Sequence, residues 1–107
     1  MAQSNEYNEA LKDIIKERAR QDAKWGEQNH DPFTWLAILQ EEIGEFSQES
    51  LVLAFDKKVN PTHMYKEAVH VAAVAMAIVE CLKRDKWKWD VDGRGNNQQQ
   101  RNEPDAG

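Results

Sequence analysis

The residues best equipped for chemistry are the carboxylates of one short stretch. Between Asn29 and Phe55 the chain carries five acids (Asp31, Glu41, Glu42, Glu45 and Glu49) and no lysine or arginine. Four of them fall in the nine-residue run EEIGEFSQE. On a helix turning about 100° per residue, these four share an arc of about 100°. Like charges at i, i+4 destabilise a helix, and the stretch holds no cation to relieve them. A hard divalent cation answers the conflict, because Mg²⁺ is held by a few carboxylates together with water and substrate phosphate. The plainer alternative is a solvated acidic face. On the same helical wheel, however, the acids abut the apolar stripe, which lets them face inward along a bundle seam.

A second set follows. His63, Glu67 and His70 stand at i, i+4 and i+7, on one face of a helix. If the two helices run antiparallel, Glu67 and His70 approach Glu42 and Glu45. His63 and His70 are otherwise ordinary helix residues, and with Glu67 they also form a transition-metal set that ignores the earlier acids. Cations for phosphate binding occur in two groups, Lys83, Arg84, Lys86 and Lys88, and Arg18, Arg20 and Lys24. Helix C-termini favour cations for dipole reasons alone, so the two explanations stand level. Trp25, with Gln28, Asn29 and His30 close behind it, offers a flat aromatic and amides for sandwiching a nucleobase. Trp35 belongs to the core, and Trp87 and Trp89 pack the end of the last helix.

Three helices must position these groups. The first spans about Ser4 to Lys24, with Tyr7, Leu11, Ile14, Ile15 and Arg18 on one face. Ser4 is its N-cap, and Gly26 with the polar run after it breaks the pattern. The second opens on Asp31-Pro32, a capping acid followed by a residue suited to the first helical position. It runs to about Phe55, with Trp35, Leu36, Leu39, Ile43, Phe46 and Ser50 as its stripe. The loop from Asp56 to Pro61 is short, which predicts antiparallel packing against the third helix. That helix runs from the capping residue Thr62 to about Asp85. Its stretch VAAVAMAIV, Val71 to Val79, is apolar on all sides and predicts burial all round. A small chain cannot surround it alone, so a second subunit is expected to cover it. Alanines at 72, 73, 75 and 77 allow another helix to approach closely.

Composition bounds the rest. A chain of 107 residues suits one domain, placed at residues 1–90, with a flexible polar tail at 91–107 that lacks periodicity. The tail contributes to the low mean hydropathy of −0.84. No segment reads as a strand, so the class is all-α. No apolar run approaches the roughly 20 residues that span a bilayer. The opening MAQSNEYNEA lacks a basic and then apolar pattern, so no secretory signal is expected. One cysteine, Cys81, precludes an internal disulfide, and the reducing cytoplasm is the expected compartment. A net charge of −5 argues against duplex nucleic acid as a partner.

Taken together, EEIGE (Glu41, Glu42, Glu45), a gap of 21 residues, and EAVH (Glu67 to His70) running into VAAVAMAIVE resemble the MazG-like all-α nucleotide pyrophosphohydrolases. That family carries EExxE followed by ExxD. The stretches RARQDAKWGEQNHDPFTW and KEAVHVAAVAMAIVE are similar to its small phage and prophage branch, and the resemblance covers roughly residues 14–84. It implies a four-helix bundle of helical hairpins completed by dimerisation or tetramerisation. It also implies Mg²⁺-dependent hydrolysis of a (deoxy)nucleoside triphosphate to monophosphate and pyrophosphate, although the neutral imidazole of His70 suits Mn²⁺, Co²⁺ or Zn²⁺ better. By position, Glu42, Glu45 and Glu67 become metal ligands, and Glu41 a ligand or the base that orients the water. The departure is His70, which stands where the family has Asp. It either joins the site or marks a bundle that binds nucleotide or protein without turnover.

Overall fold

The computed structural model describes residues 4–56 and 58–87. The tail assigned to residues 91–107, and with it Lys88 and Trp89, lies outside them. The described chain is three α-helices: α1 (Asn5–Trp25), α2 (Pro32–Phe55) and α3 (Thr62–Lys83), with no strand among the described residues. None of these helices is long and apolar enough to cross a membrane.

Local chemistry explains most of the helix ends. Ser4 has extended backbone, and its Oγ accepts from the Tyr7 N–H at 3.0 Å. Gly26 closes α1 at φ 74°, a conformation that disfavours side chains with a Cβ, while its N–H donates to the Asp22 carbonyl at 2.8 Å. Asp31 caps α2 through both oxygens, accepting from the Thr34 N–H at 2.9 Å and the Thr34 Oγ1 at 3.1 Å, with Pro32 next in line. The start of α3 differs from expectation. Thr62 is its first helical residue rather than its cap, and Pro61 holds the cap position with no side-chain bond. Asn60 takes over the task, its Oδ1 accepting from the Thr62 N–H at 2.9 Å. α3 also stops earlier than Asp85. Asp85 turns left-handed at φ 60°, its N–H reaches the Leu82 carbonyl at 3.0 Å, and the Lys86 N–H reaches the Cys81 carbonyl at 3.2 Å. That pair of bonds is a Schellman closure, which ends a helix by satisfying its last carbonyls.

α3 packs against both other helices. It runs antiparallel to α2: Trp35 meets Ala77 and Cys81, while seven residues further along α2 Glu42 meets Glu67 and His70. Its course beside α1 is parallel, through Asp13 with Tyr65, Glu17 with His70, and Arg18 with Glu80. The core is small. Trp35 (4% exposed) lies on Ala77 and Cys81, with Ile38, Ile78 and Trp87 around them, and Ala73 and Val74 are buried nearby. The small side chains at 77 and 81 let the indole of Trp35 lie close to the α3 backbone.

Within one chain, the apolar run of α3 is covered on only part of its circumference. Ala73, Val74 and Ala77 are buried, whereas Ala75 is exposed and Val79 is 57% exposed. The stripes of the other helices behave likewise. Arg18 is the one buried residue of α1 and Trp35 that of α2, while Tyr7, Ile15, Leu36 and Ile43 stay exposed.

Candidate metal centre

Three side chains from two helices converge. Glu42 comes from α2, and Glu67 and His70, one turn apart, from α3. Ligand atoms of all three lie within 4.8 Å of one another. His70 Nδ1 stands 3.3 Å from Glu67 Oε1 and 3.8 Å from Glu42 Oε1. Those two carboxylate oxygens are buried and have no hydrogen-bond partner. Buried polar atoms in native proteins are almost always satisfied, so two carboxylate oxygens without a hydrogen-bond partner beside an imidazole make a setting that positive charge would relieve, either a metal ion or the protonated ring. Two carboxylates and a nitrogen are a sound donor set for a divalent metal.

Electrostatics agrees. Burial pushes the Glu42 carboxyl above the usual carboxylate range, and the neighbouring Glu45, Glu67 and Glu41 push it the same way, against the pull of His70. A fourth acid approaches from α1. Glu17 Oε2 lies 3.7 Å from His70 Nε2, on the side of the ring away from Glu42 and Glu67. Glu17 also accepts from Arg20 at 2.8 and 2.7 Å, and these hydrogen bonds hold its carboxyl below the usual range.

A cleft of about 690 Å³ opens beside this group, within the range of small-molecule sites. Its wall includes Glu42, Glu45 and His70 at one part, Arg20 and Arg84, and Trp25, Gln28, His30 and Trp35. Several residues singled out from the sequence therefore meet in one place. Trp25 lines the cleft while remaining 61% exposed, and Lys24 Nζ sits 4.9 Å from its ring centroid. His30 stacks edge-on to Trp35, centroids 4.7 Å apart, and its Nε2 is 3.3 Å from Gln28 Oε1.

Others are placed elsewhere. Glu41 is exposed and off the cleft wall, because the helix turns it about 100° from Glu42. Lys83 is likewise exposed and off the wall, one residue round from Arg84. Asn29 supports the wall without joining it: its Oδ1 accepts from Arg84 at 3.1 and 3.0 Å. His63 is exposed and outside the metal group, since seven residues of helix separate it from His70 by about 10 Å along the axis. The set His63, Glu67 and His70 is thus replaced by Glu42, Glu67 and His70. Arg18 is not free for phosphate. It is 9% exposed, and its Nη2 and Nε donate to Glu80 at 2.7 and 3.2 Å, with Asp22 and Gln21 completing the fork.

No protein-family model matches the chain, and neither do the curated proteins or solved structures with which it was compared.

The Arg18–Glu80 pair ties α1 to α3 along the cleft wall and makes stability depend on pH. Hydrogen bonding from Arg18 holds Glu80 below the ordinary carboxylate range. Its stabilisation is therefore complete above that range and is lost as pH falls through the lowered value. Glu80 is partly exposed, so screening keeps the effect modest. Thermal melts of the native chain and Glu80→Gln should differ most near neutrality and converge in acid.

Proposed function

We propose that the chain is a divalent-metal-dependent nucleoside triphosphate pyrophosphohydrolase of MazG-like type, yielding a (deoxy)nucleoside monophosphate and pyrophosphate. The observation that carries this reading is the convergence of two buried, unpartnered carboxylate oxygens with an imidazole at the edge of a nucleotide-sized cleft. Two of the three, Glu42 and Glu67, are ligands that the resemblance implies; the third is His70, the departure from its pattern, in place of Glu45. Glu42, Glu67 and His70 would hold the cation, with Glu45 beside them. When bound, the cation offsets phosphate charge and makes a water easier to deprotonate.

The remaining work falls to side chains. Glu45, exposed and on the cleft wall, accepts the proton of the attacking water. The water oxygen bonds to phosphorus at the α–β anhydride, the bridging P–O bond breaks, and pyrophosphate leaves with the electron pair. Arg20 and Arg84, on the same wall, offset the charge of the phosphates. Trp25 supplies a ring face for the base, and Gln28 and His30 supply polar edges. Product analysis by phosphorus NMR tests the reaction class. Monophosphate with pyrophosphate supports it, and diphosphate with inorganic phosphate contradicts it.

The same reading includes self-association into a dimer or tetramer with a four-helix core. Its support is the apolar surface a single chain leaves open, including Leu36, Leu51, Val79, Leu82 and Phe55, the last 85% exposed. Sedimentation equilibrium should return two or four times the 12.4 kDa chain mass. A monomer at micromolar concentration would remove this part of the reading.

A further inference from the structure

We propose that the Glu42–Glu67–His70 centre selects a later first-row divalent metal of the cobalt or zinc class over Mg²⁺, with Glu17 as the residue that positions His70 for it. The inference rests on the metal-centre reading above and adds the identity of the metal class.

The argument begins with the imidazole. Its two nitrogens face different partners. Nδ1 faces Glu67 at 3.3 Å and Glu42 at 3.8 Å, the two acids with orphaned oxygens. Nε2 faces Glu17 at 3.7 Å, a few tenths of an ångström beyond a hydrogen bond. An ionised carboxylate only accepts, so once a cation occupies Glu42 and Glu67, Glu17 is the acceptor left for the ring proton, which then sits on Nε2. That tautomer leaves the Nδ1 lone pair aimed at the space between Glu42 and Glu67. A histidine that binds metal almost always turns its other nitrogen to a carboxylate, carbonyl or water, which fixes tautomer and ring orientation and raises ligand basicity. Glu17 is held for this role by the fork of Arg20, and Gln21 Nε2 donates to it at 3.4 Å. The ring itself is largely buried, four-fifths of its side-chain surface being covered.

The metal class follows from the donors. Mg²⁺ demands oxygen ligands and near-ideal octahedral geometry. Imidazole suits zinc, copper, iron and nickel, and mixed nitrogen–oxygen sites bind later first-row metals more tightly. With a neutral imidazole as third donor the centre carries less negative charge than three carboxylates would, which costs a hard cation more than a borderline one.

The test uses the full chain and the metals alone, without nucleotide. Calorimetry gives the affinity ratio of Zn²⁺ or Co²⁺ to Mg²⁺ for the native protein, His70→Asp and Glu17→Gln. The ratio should fall at least about ten-fold in His70→Asp. Glu17→Gln should weaken Zn²⁺ and Co²⁺ by about 10–100-fold, the usual cost of losing such a partner, and leave Mg²⁺ unchanged. Proton–nitrogen correlation NMR of the Zn²⁺ form should show His70 metallated at Nδ1 and protonated at Nε2. Circular dichroism reports folding, and if His70→Asp does not fold, Glu17→Gln and the NMR spectrum decide. An unchanged ratio in folded His70→Asp, equal loss of all metals in Glu17→Gln, or metallation at Nε2 overturns the proposal. Selective binding without triphosphate hydrolysis would sink the hydrolase reading and leave this one standing. Hydrolysis with Mg²⁺ in which His70 shows no metal contact would do the reverse.

Discussion

Glu42→Gln should abolish metal-dependent turnover, by at least about 10²-fold, while leaving the fold intact or slightly more stable. The first half follows from charge. A metal supplies several kcal/mol of transition-state stabilisation, and each decade of rate corresponds to about 1.4 kcal/mol. Glutamine keeps the shape of Glu42 but neither its charge nor its affinity for a cation. The second half follows from burial. Desolvation and nearby acids raise the Glu42 carboxyl above its ordinary range. An acid whose folded value is raised opposes folding once pH exceeds the unfolded value, because ionisation is then easier in the unfolded chain. Removing that charge relieves the metal-free protein. A carboxylate in a cleft whose ionisation opposes folding is a candidate functional group. Urea melts of metal-free protein beside rate measurements read both halves. A variant that loses stability and activity together would instead make Glu42 structural.

Trp35→Ala should unfold the chain at room temperature or nearly so. Truncating a buried Trp costs about 3–5 kcal/mol, against a total of about 5–15 kcal/mol for typical domains. This core leaves little reserve. Among the described residues Trp35 is the one large apolar side chain buried there, and its α3 partners Ala77 and Cys81 are too small to collapse into the space left behind. Trp35→Phe should be much milder, because the Trp35 Nε1 is buried without a hydrogen-bond partner and its removal sacrifices no bond. Denaturant midpoints of the two variants test the contrast. Equal losses would mean that packing against the indole's second ring, rather than core volume as a whole, holds α2 to α3.

The helix frame is largely legible in the sequence, because its signals are local. Ser4 and Gly26 bracket α1, and Asp31-Pro32 opens α2, each through a side chain or backbone preference that acts within four residues. Thr62 misleads because an asparagine two residues earlier reaches its N–H first. The α2–α3 part of the centre is legible as well, since a short loop forces an antiparallel pair and spacing then brings Glu42 opposite Glu67 and His70. The contribution of α1 is not. Glu17 and Arg18 meet residues more than fifty positions away, His70 and Glu80, and periodicity carries no information about which face of α1 docks on α3. One hint was present: Arg18 completes the apolar stripe of α1, a place where a cation survives only with a partner. The separation of Glu41 from the cleft is a matter of helix phase, which a run of adjacent acids leaves ambiguous.

The measurement that bears most directly on the central claim is pyrophosphate release from a panel of nucleoside and deoxynucleoside triphosphates. It should be run with Mg²⁺ and separately with Mn²⁺, on the native chain and on Glu42→Gln. The account predicts metal-dependent release that is lost in the variant, with the panel identifying the favoured base. Folded native protein that releases no pyrophosphate with either metal, or a variant that releases it as fast, would contradict the account.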